Sequence, residues 1–235
     1  MEVNGPKIVF RFDIFGYEMI ISETIVLGWF VMFIITALIL FLTHNMQKIP
    51  TKRQAIAEWI VETVYKTVDD TMGKGNRIYA PYMATIFAFS MFGSLISMIG
   101  LRPVTGDFNT TLGWALMTFA MITYAKIKTN GFLGYLKSFA DPIPLTPLNI
   151  ISELATPVSM SFRHFGNVAG GMIITSLLYY ALEGISSALG MSIPFLTIGI
   201  PAVLSVYFDL FSGFMQAFIF MMLSMVYIGS ARETE

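Results

Sequence analysis

The chain is expected to be an all-α integral membrane protein with five membrane helices. The last two should be long and strongly tilted, forming an antiparallel hairpin, and one amphipathic helix should lie at the membrane surface. Three observations lead there. Of 235 residues, 55% are hydrophobic and 12% charged, against roughly a quarter charged in average soluble domains, so the chain cannot cover a water-facing surface. The apolar residues gather in runs of about 20 or more, the length that crosses a ~30 Å hydrocarbon layer. Inside one of these runs stands Arg163, whose guanidinium costs about 3 kcal/mol or more in hydrocarbon and cannot shed its charge.

The elements follow in order. Residues 1–20 read as an outer extramembrane tail. Lys7, Arg11, Asp13 and Glu18 interrupt its apolar residues, whereas a signal peptide needs an unbroken apolar core. The first span runs from Ile25 to Thr43. Lys52 to Met72 is amphipathic, with Ile56, Ile60, Val64, Val68 and Met72 stepping by four and acids elsewhere on the helix. This segment is expected to lie on the inner leaflet until Gly73 and Gly75 end it. Further spans are expected at 78–99 and 110–127. The runs 148–182 and 193–228 would each extend ~50 Å as helices. Neither holds a charged turn that would split it, so both are expected to tilt, paired through the turn at Gly190 to Pro194. The whole, residues 1–235, is one membrane domain.

Basic residues set the orientation. The segment from His44 to Arg77 holds Lys48, Lys52, Arg53, Lys66, Lys74 and Arg77, and the segment from Lys126 to Pro147 holds Lys126, Lys128 and Lys137. Both should face the cytoplasm, leaving the amino terminus outside and the carboxyl terminus inside. Lys7 and Arg11 in the outer tail run weakly against this.

Several function classes fall away. The net charge of −1 argues against a nucleic-acid partner. With no cysteine and two histidines, disulfides, thiolate sites and a His-rich metal cluster are excluded. No phosphate-binding glycine loop is present, and no cofactor is expected.

The polar residues that remain can be compared by depth. Arg163 lies 15 residues in from Leu148, and Gln216 lies 12 residues in from Ile228. On antiparallel helices they reach similar depth. Glu153 lies on the cytoplasmic side of Arg163. Asp209 lies one heptad outward from Gln216, and Glu183 farther out still. Acids displaced to both sides of a fixed positive charge suggest two offset aqueous half-channels. Arg163 would block direct passage of a cation, which would then cross only on a moving carboxylate of a partner. Asn167, four positions on, shares the face of Arg163, and Gly166, Ala169, Gly170 and Gly171 would let a partner helix approach closely. Glu153 has an alternative reading as a cap of its helix, and Glu183 one as an interfacial residue.

At these residues the chain resembles subunit a of the F-type rotary ATP synthases. Ser161-Phe162-Arg163-His164-Phe165-Gly166-Asn167 matches the family's S-L-R-L-F-G-N. Gln216-Ala217-Phe218-Ile219-Phe220 with Tyr227 matches Q-A-x-I-F…Y, and Asp107 with Asn109 begins a match to D-x-N-x-T. The resemblance implies a multi-pass protein of a prokaryotic plasma (inner) membrane. It would act as a stator against a rotating ring of c subunits, held by peripheral-stalk b subunits and working indirectly with a soluble ATPase sector. Proton or sodium flow would drive ATP synthesis, with no catalytic chemistry in this chain itself. It implies that Arg163 is the essential arginine, Gln216 its last-helix neighbour, Asn167 a polar group at the ring interface and Asp209 an outer-channel acid. Two departures from the pattern matter: His164 replaces a leucine, and Met172 stands where some relatives carry an acid. A packed or hydrogen-bonded role is expected for His164. A self-contained transporter is the rival, but it would show repeated halves and broken helices, and neither is evident.

Overall fold

The computed structural model describes residues 5–14, 16–190, 197, 204 and 206–232. Apart from a short amino-terminal hairpin, the regular structure there is helical.

The hairpin pairs β1 (Ile8–Ile14) with β2 (Tyr17–Ser22) antiparallel, with Phe12 opposite Met19 and Asp13 opposite Glu18. Gly16, at φ +83°, makes the turn, a conformation that costs glycine little. The segment expected as an irregular tail is therefore a hairpin, and its sequence carries a strand signal. The alternation Phe10, Arg11, Phe12, Asp13 is that period-two signal. Helix α1 (Glu23–Thr43) starts directly from β2, with the Glu23 amide bonded to the Lys7 carbonyl at 2.8 Å.

Helix α2 (Lys52–Met72) has the expected bounds. Thr51 caps it by accepting from the Gln54 amide at 3.4 Å, and Gly73, at φ +81°, ends it. Its apolar stripe divides along its length: Val68 and Met72 are buried, whereas Ile56 and Ile60 are exposed. Helix α3 (Ala80–Leu95) is lengthened at both ends by 3-10 turns, Arg77–Tyr79 and Ile96–Ile99.

Helix α4 (Phe108–Phe139) begins under an Asp107 cap that accepts from the Asn109 amide at 3.0 Å. It kinks at Gly131, where φ is 71° and ψ 163°. Helix α5 (Thr146–Ala188) runs 43 residues, about 65 Å at the α-helical rise, longer than expected at both ends. It carries Pro157 in its interior without a break. A π-helical stretch, Val206–Ser212, leads into helix α6 (Gly213–Ser230).

Among the described residues, four segments are long and apolar enough to cross a membrane: Glu23–Thr43, Arg77–Ile99, Ile143–Ala188 and Asp209–Ser230. The expected span 110–127 falls inside α4, which is not one of the four. Thr110, Thr111, Thr118, Thr123 and Lys126 dilute its apolar content. The expected turn at Gly190 to Pro194 and the start of the last span, 193–205, lie outside the described residues except for Gly190, Thr197 and Leu204.

The core runs along α3 in three clusters. At one end Val68, Met72, Met83, Ile122, Met225 and Ile228 join α2, α3, α4 and α6. In the middle Ile86, Ala115, Met160 and Phe220 meet. At the other end Val31, Ile96 and Val104 pack together. Small residues of α6 allow close approach: a Cβ on Gly229 would sit 3.4 Å from the Met72 backbone, and one on Gly213 would sit 3.0 Å from Ser94. Buried threonines Thr111 and Thr118 face inward from α4, where hydroxyls find partners that lipid cannot supply. The outside is apolar on most helices, including Trp29, Phe33, Leu133 and Leu177.

Candidate functional site

Helix α5 buries one narrow stripe, which includes Pro157, Met160, Ser161, His164, Ser176 and Leu182. Arg163 is on the exposed face of the helix with Gly166 and Asn167. A Cβ added at Gly166, Gly170 or Gly184 would meet nothing within 4 Å. These positions step by helical turns from Arg163, so the described residues leave an open track along α5 that begins at the guanidinium.

The ion pairs among the described residues are Arg11–Glu18, Arg77–Asp69 and Lys126–Glu153. Arg163 belongs to none of them. Behind it, Gln216, 3% exposed, donates from Nε2 to the Arg163 carbonyl at 3.4 Å. The depth comparison thus corresponds to a contact, made to the backbone of Arg163 and not to its charged end.

His164 points the other way. It is 1% exposed, its Nε2 lies 3.2 Å from the Ser90 hydroxyl, and Trp114 and Phe220 meet it edge-on. It is a packed, hydrogen-bonded histidine. The ring centroids lie at 5.7 and 5.6 Å, within the range of favourable T-shaped pairs. Met172 packs on the 3-10 turn Val104–Gly106, so closely that a Cβ at Gly106 would come within 2.8 Å of its Cε. The methyl end fills the place and leaves no room there for an added group.

The acids are distributed unequally. Glu153 sits well past the first turn of α5, so the capping alternative does not hold. Its Oε2 and Oε1 accept from Lys126 Nζ at 2.6 and 2.8 Å, and the Tyr135 hydroxyl donates to Oε1 at 3.4 Å. Asp209 is part-buried within the π-helical stretch. A π turn advances each residue through a smaller angle than an α turn, so the simple heptad relation of Asp209 to Gln216 is not kept. Glu183 is exposed toward the far end of α5, where its carbonyl accepts from Ser187. The structure therefore brings Gln216 to Arg163 and leaves Glu153, Asp209 and Glu183 at separate stations.

Sequence reasoning missed two partners, Lys126 and Ser90. Lys126 was counted only as a loop charge, and a partner 27 residues away leaves no local pattern. Asp107 has a second role, accepting from Thr24 at 2.9 Å and so tying α1 to the start of α4.

Fold and site together define a multi-pass helical membrane protein with a lone arginine on an open helix face and acids placed apart along its length. The family model described as ATP synthase A chain matches residues 25–229. The chain is 35% identical to the sodium ion specific ATP synthase subunit a of Propionigenium modestum, across 99% of this chain and 87% of that one. It is 34% identical to ATP synthase subunit a of Moorella thermoacetica over 89% and 90% of the two chains, and 30% identical to that of a Sulfurihydrogenibium species over 89% and 97%. The chain belongs to the F-type ATP synthase subunit a family. As such it is a membrane-sector, ion-translocating subunit, and membership implies a c-ring and other ATP synthase subunits as partners.

Proposed function

We propose that this subunit offers two offset half-channels to the carboxylates of a rotating c-ring, with Arg163 preventing an ion from passing straight between them. One observation carries this. Arg163 is exposed on the open track of α5, and no acid of its own chain pairs with it among the described residues. A guanidinium at membrane depth needs a partner anion, and a ring carboxylate arriving along that track supplies one. Gln216 fixes the backbone from behind, and Asn167 meets the ring beside the arginine. Asp209, with Glu183 farther out, belongs to the outer route, and Glu153 to the cytoplasmic one. Ion flow through the two routes drives rotation and ATP synthesis in the soluble sector.

The arrangement in the membrane completes the proposal. α1, α3, α4, α5 and the last helix make five spans, with α5 and the last helix tilted as a hairpin and the exposed half of α2 at the inner surface. The amino terminus faces out and the carboxyl terminus faces the cytoplasm of a prokaryote. Peripheral-stalk b subunits hold this stator. The coupling ion is a proton or sodium; likeness to the sodium ion specific subunit of Propionigenium modestum makes sodium the first to titrate against ATP hydrolysis of the purified complex.

Arg163→Ala tests the proposal. The complex should assemble, with ring and soluble ATPase copurifying, while ion-driven ATP synthesis is abolished. Full synthesis in that variant rejects the proposal, as does specific solute binding by the isolated subunit.

A further inference from the structure

A cavity of about 180 Å³ lies between α4, α5 and α6 at the end of the molecule that holds the α4–α5 connection. Its polar lining is Lys126, Glu153, Thr156, Tyr227 and Ser230. The volume holds several water molecules, and oxygen atoms of this kind suit a hydrated hard cation or a proton on water. Both carboxylate oxygens of Glu153 are taken by one ammonium, at 2.6 and 2.8 Å. Tyr227 is the other titratable group of the lining, and Tyr135 reaches Glu153 from α4.

We propose that Lys126 is the resident counter-ion of the cytoplasmic route and sets how tightly that route holds the coupling ion. Its role rests on the half-channel reading above, of which it specifies one wall. A carboxylate alone beside a narrow passage retains cations, and an ammonium alone repels them. The pair carries both charges and little net field, so a cation passes without being captured. A lysine suits this: its ammonium is a compact charge on a flexible stem, and 30% of the side chain stays exposed. It yields one oxygen of Glu153 to a passing ion and then recovers it.

The two charges predict opposite changes. The complete ATP synthase carrying Lys126→Gln, Glu153→Gln or both is reconstituted in liposomes, and ATP-driven uptake from the cytoplasmic face is titrated with sodium at fixed pH and with protons at fixed sodium. Lys126→Gln frees the carboxylate and should lower the half-saturating concentration of the coupling ion about tenfold. Glu153→Gln leaves the ammonium alone and should raise it about tenfold, with the double variant in between, since each change alters the charge facing the ion at close range in a part-buried passage. Single variants that shift the same way, or do not shift, overturn the assignment, since a mere structural tether has no sign. Where Lys126→Gln fails to assemble, Lys126→Met keeps the apolar stem and is read instead. Arg163→Ala run alongside separates the two ideas. Synthesis retained there removes the half-channel reading, whereas synthesis lost there with unshifted Lys126 and Glu153 variants removes this assignment alone.

Discussion

Two cations, Lys126 and Arg163, stand on apolar helices of this chain, and their surroundings differ in one respect. Lys126 has its own acid, Glu153, at 2.6 Å. Arg163 sits on the same helix as Glu153 but ten residues on, about 15 Å along the axis, and no ion pair among the described residues includes it. Burial does not explain the contrast, since both side chains reach the surface of the isolated chain. A cation paired within its own subunit is neutralised in every state of the machine. On the proposed mechanism, one without a partner acid among the described residues is completed by a partner's anion and so responds to rotation.

Giving Arg163 what Lys126 has should produce the largest effect. Asn167→Asp places an acid on the same face four residues on, and ion-driven ATP synthesis by the assembled complex should fall about tenfold or more; wild-type synthesis would remove the contrast. Disturbing both cations alike comes next. Gly106→Val would drive a branched side chain into Met172 and cost about 1–3 kcal/mol by overpacking. The yield and melting temperature of the complex should drop, without separating the behaviour of the two cations. Gln216→Leu removes the bond to the Arg163 carbonyl, a contribution near 1 kcal/mol, and should slow synthesis roughly fivefold while the ring still copurifies.

The smallest effect concerns Asp69 of α2, outside the spans. Arg77 donates hydrogen bonds to Asp69 and holds its carboxyl below the usual range, with the positive charges of Arg77 and Lys74 acting in the same direction. A lowered folded value stabilises above the unfolded pKa of about 3.9, and the stabilisation is lost as pH falls through the folded value. Thermal stability should therefore fall slightly in acid below about pH 4, and Asp69→Asn should flatten that dependence. An unchanged acid limb in the variant would mean that Asp69 contributes nothing to it.

Much of the fold was legible because helices have a constant rise and a fixed period. The bounds of α2 could be read from a step of four residues and a glycine, and the contact of Gln216 with Arg163 from counting inward along two helices. Other features leave no such trace. The β-hairpin is too short for its alternation to stand out beside apolar spans. The kink at Gly131 follows from glycine's tolerance of positive φ in the pair Asn130-Gly131, a signal that a long apolar run masks, whereas the π-helical stretch at Asp209 has no comparable local mark. The pairing of Lys126 with Glu153 arises only when α4 and α5 come together. The site was therefore legible as a set of residues, while the partner each one takes was not.

The most direct measurement is the passive ion permeability of liposomes holding the complex with Arg163→Ala, taken together with its ATP synthesis. Removing the fixed charge should leave an unguarded passage, with a leak above that of the wild-type complex and no synthesis. Tight vesicles that make ATP at the wild-type rate would contradict the assignment of Arg163 as the barrier between two half-channels.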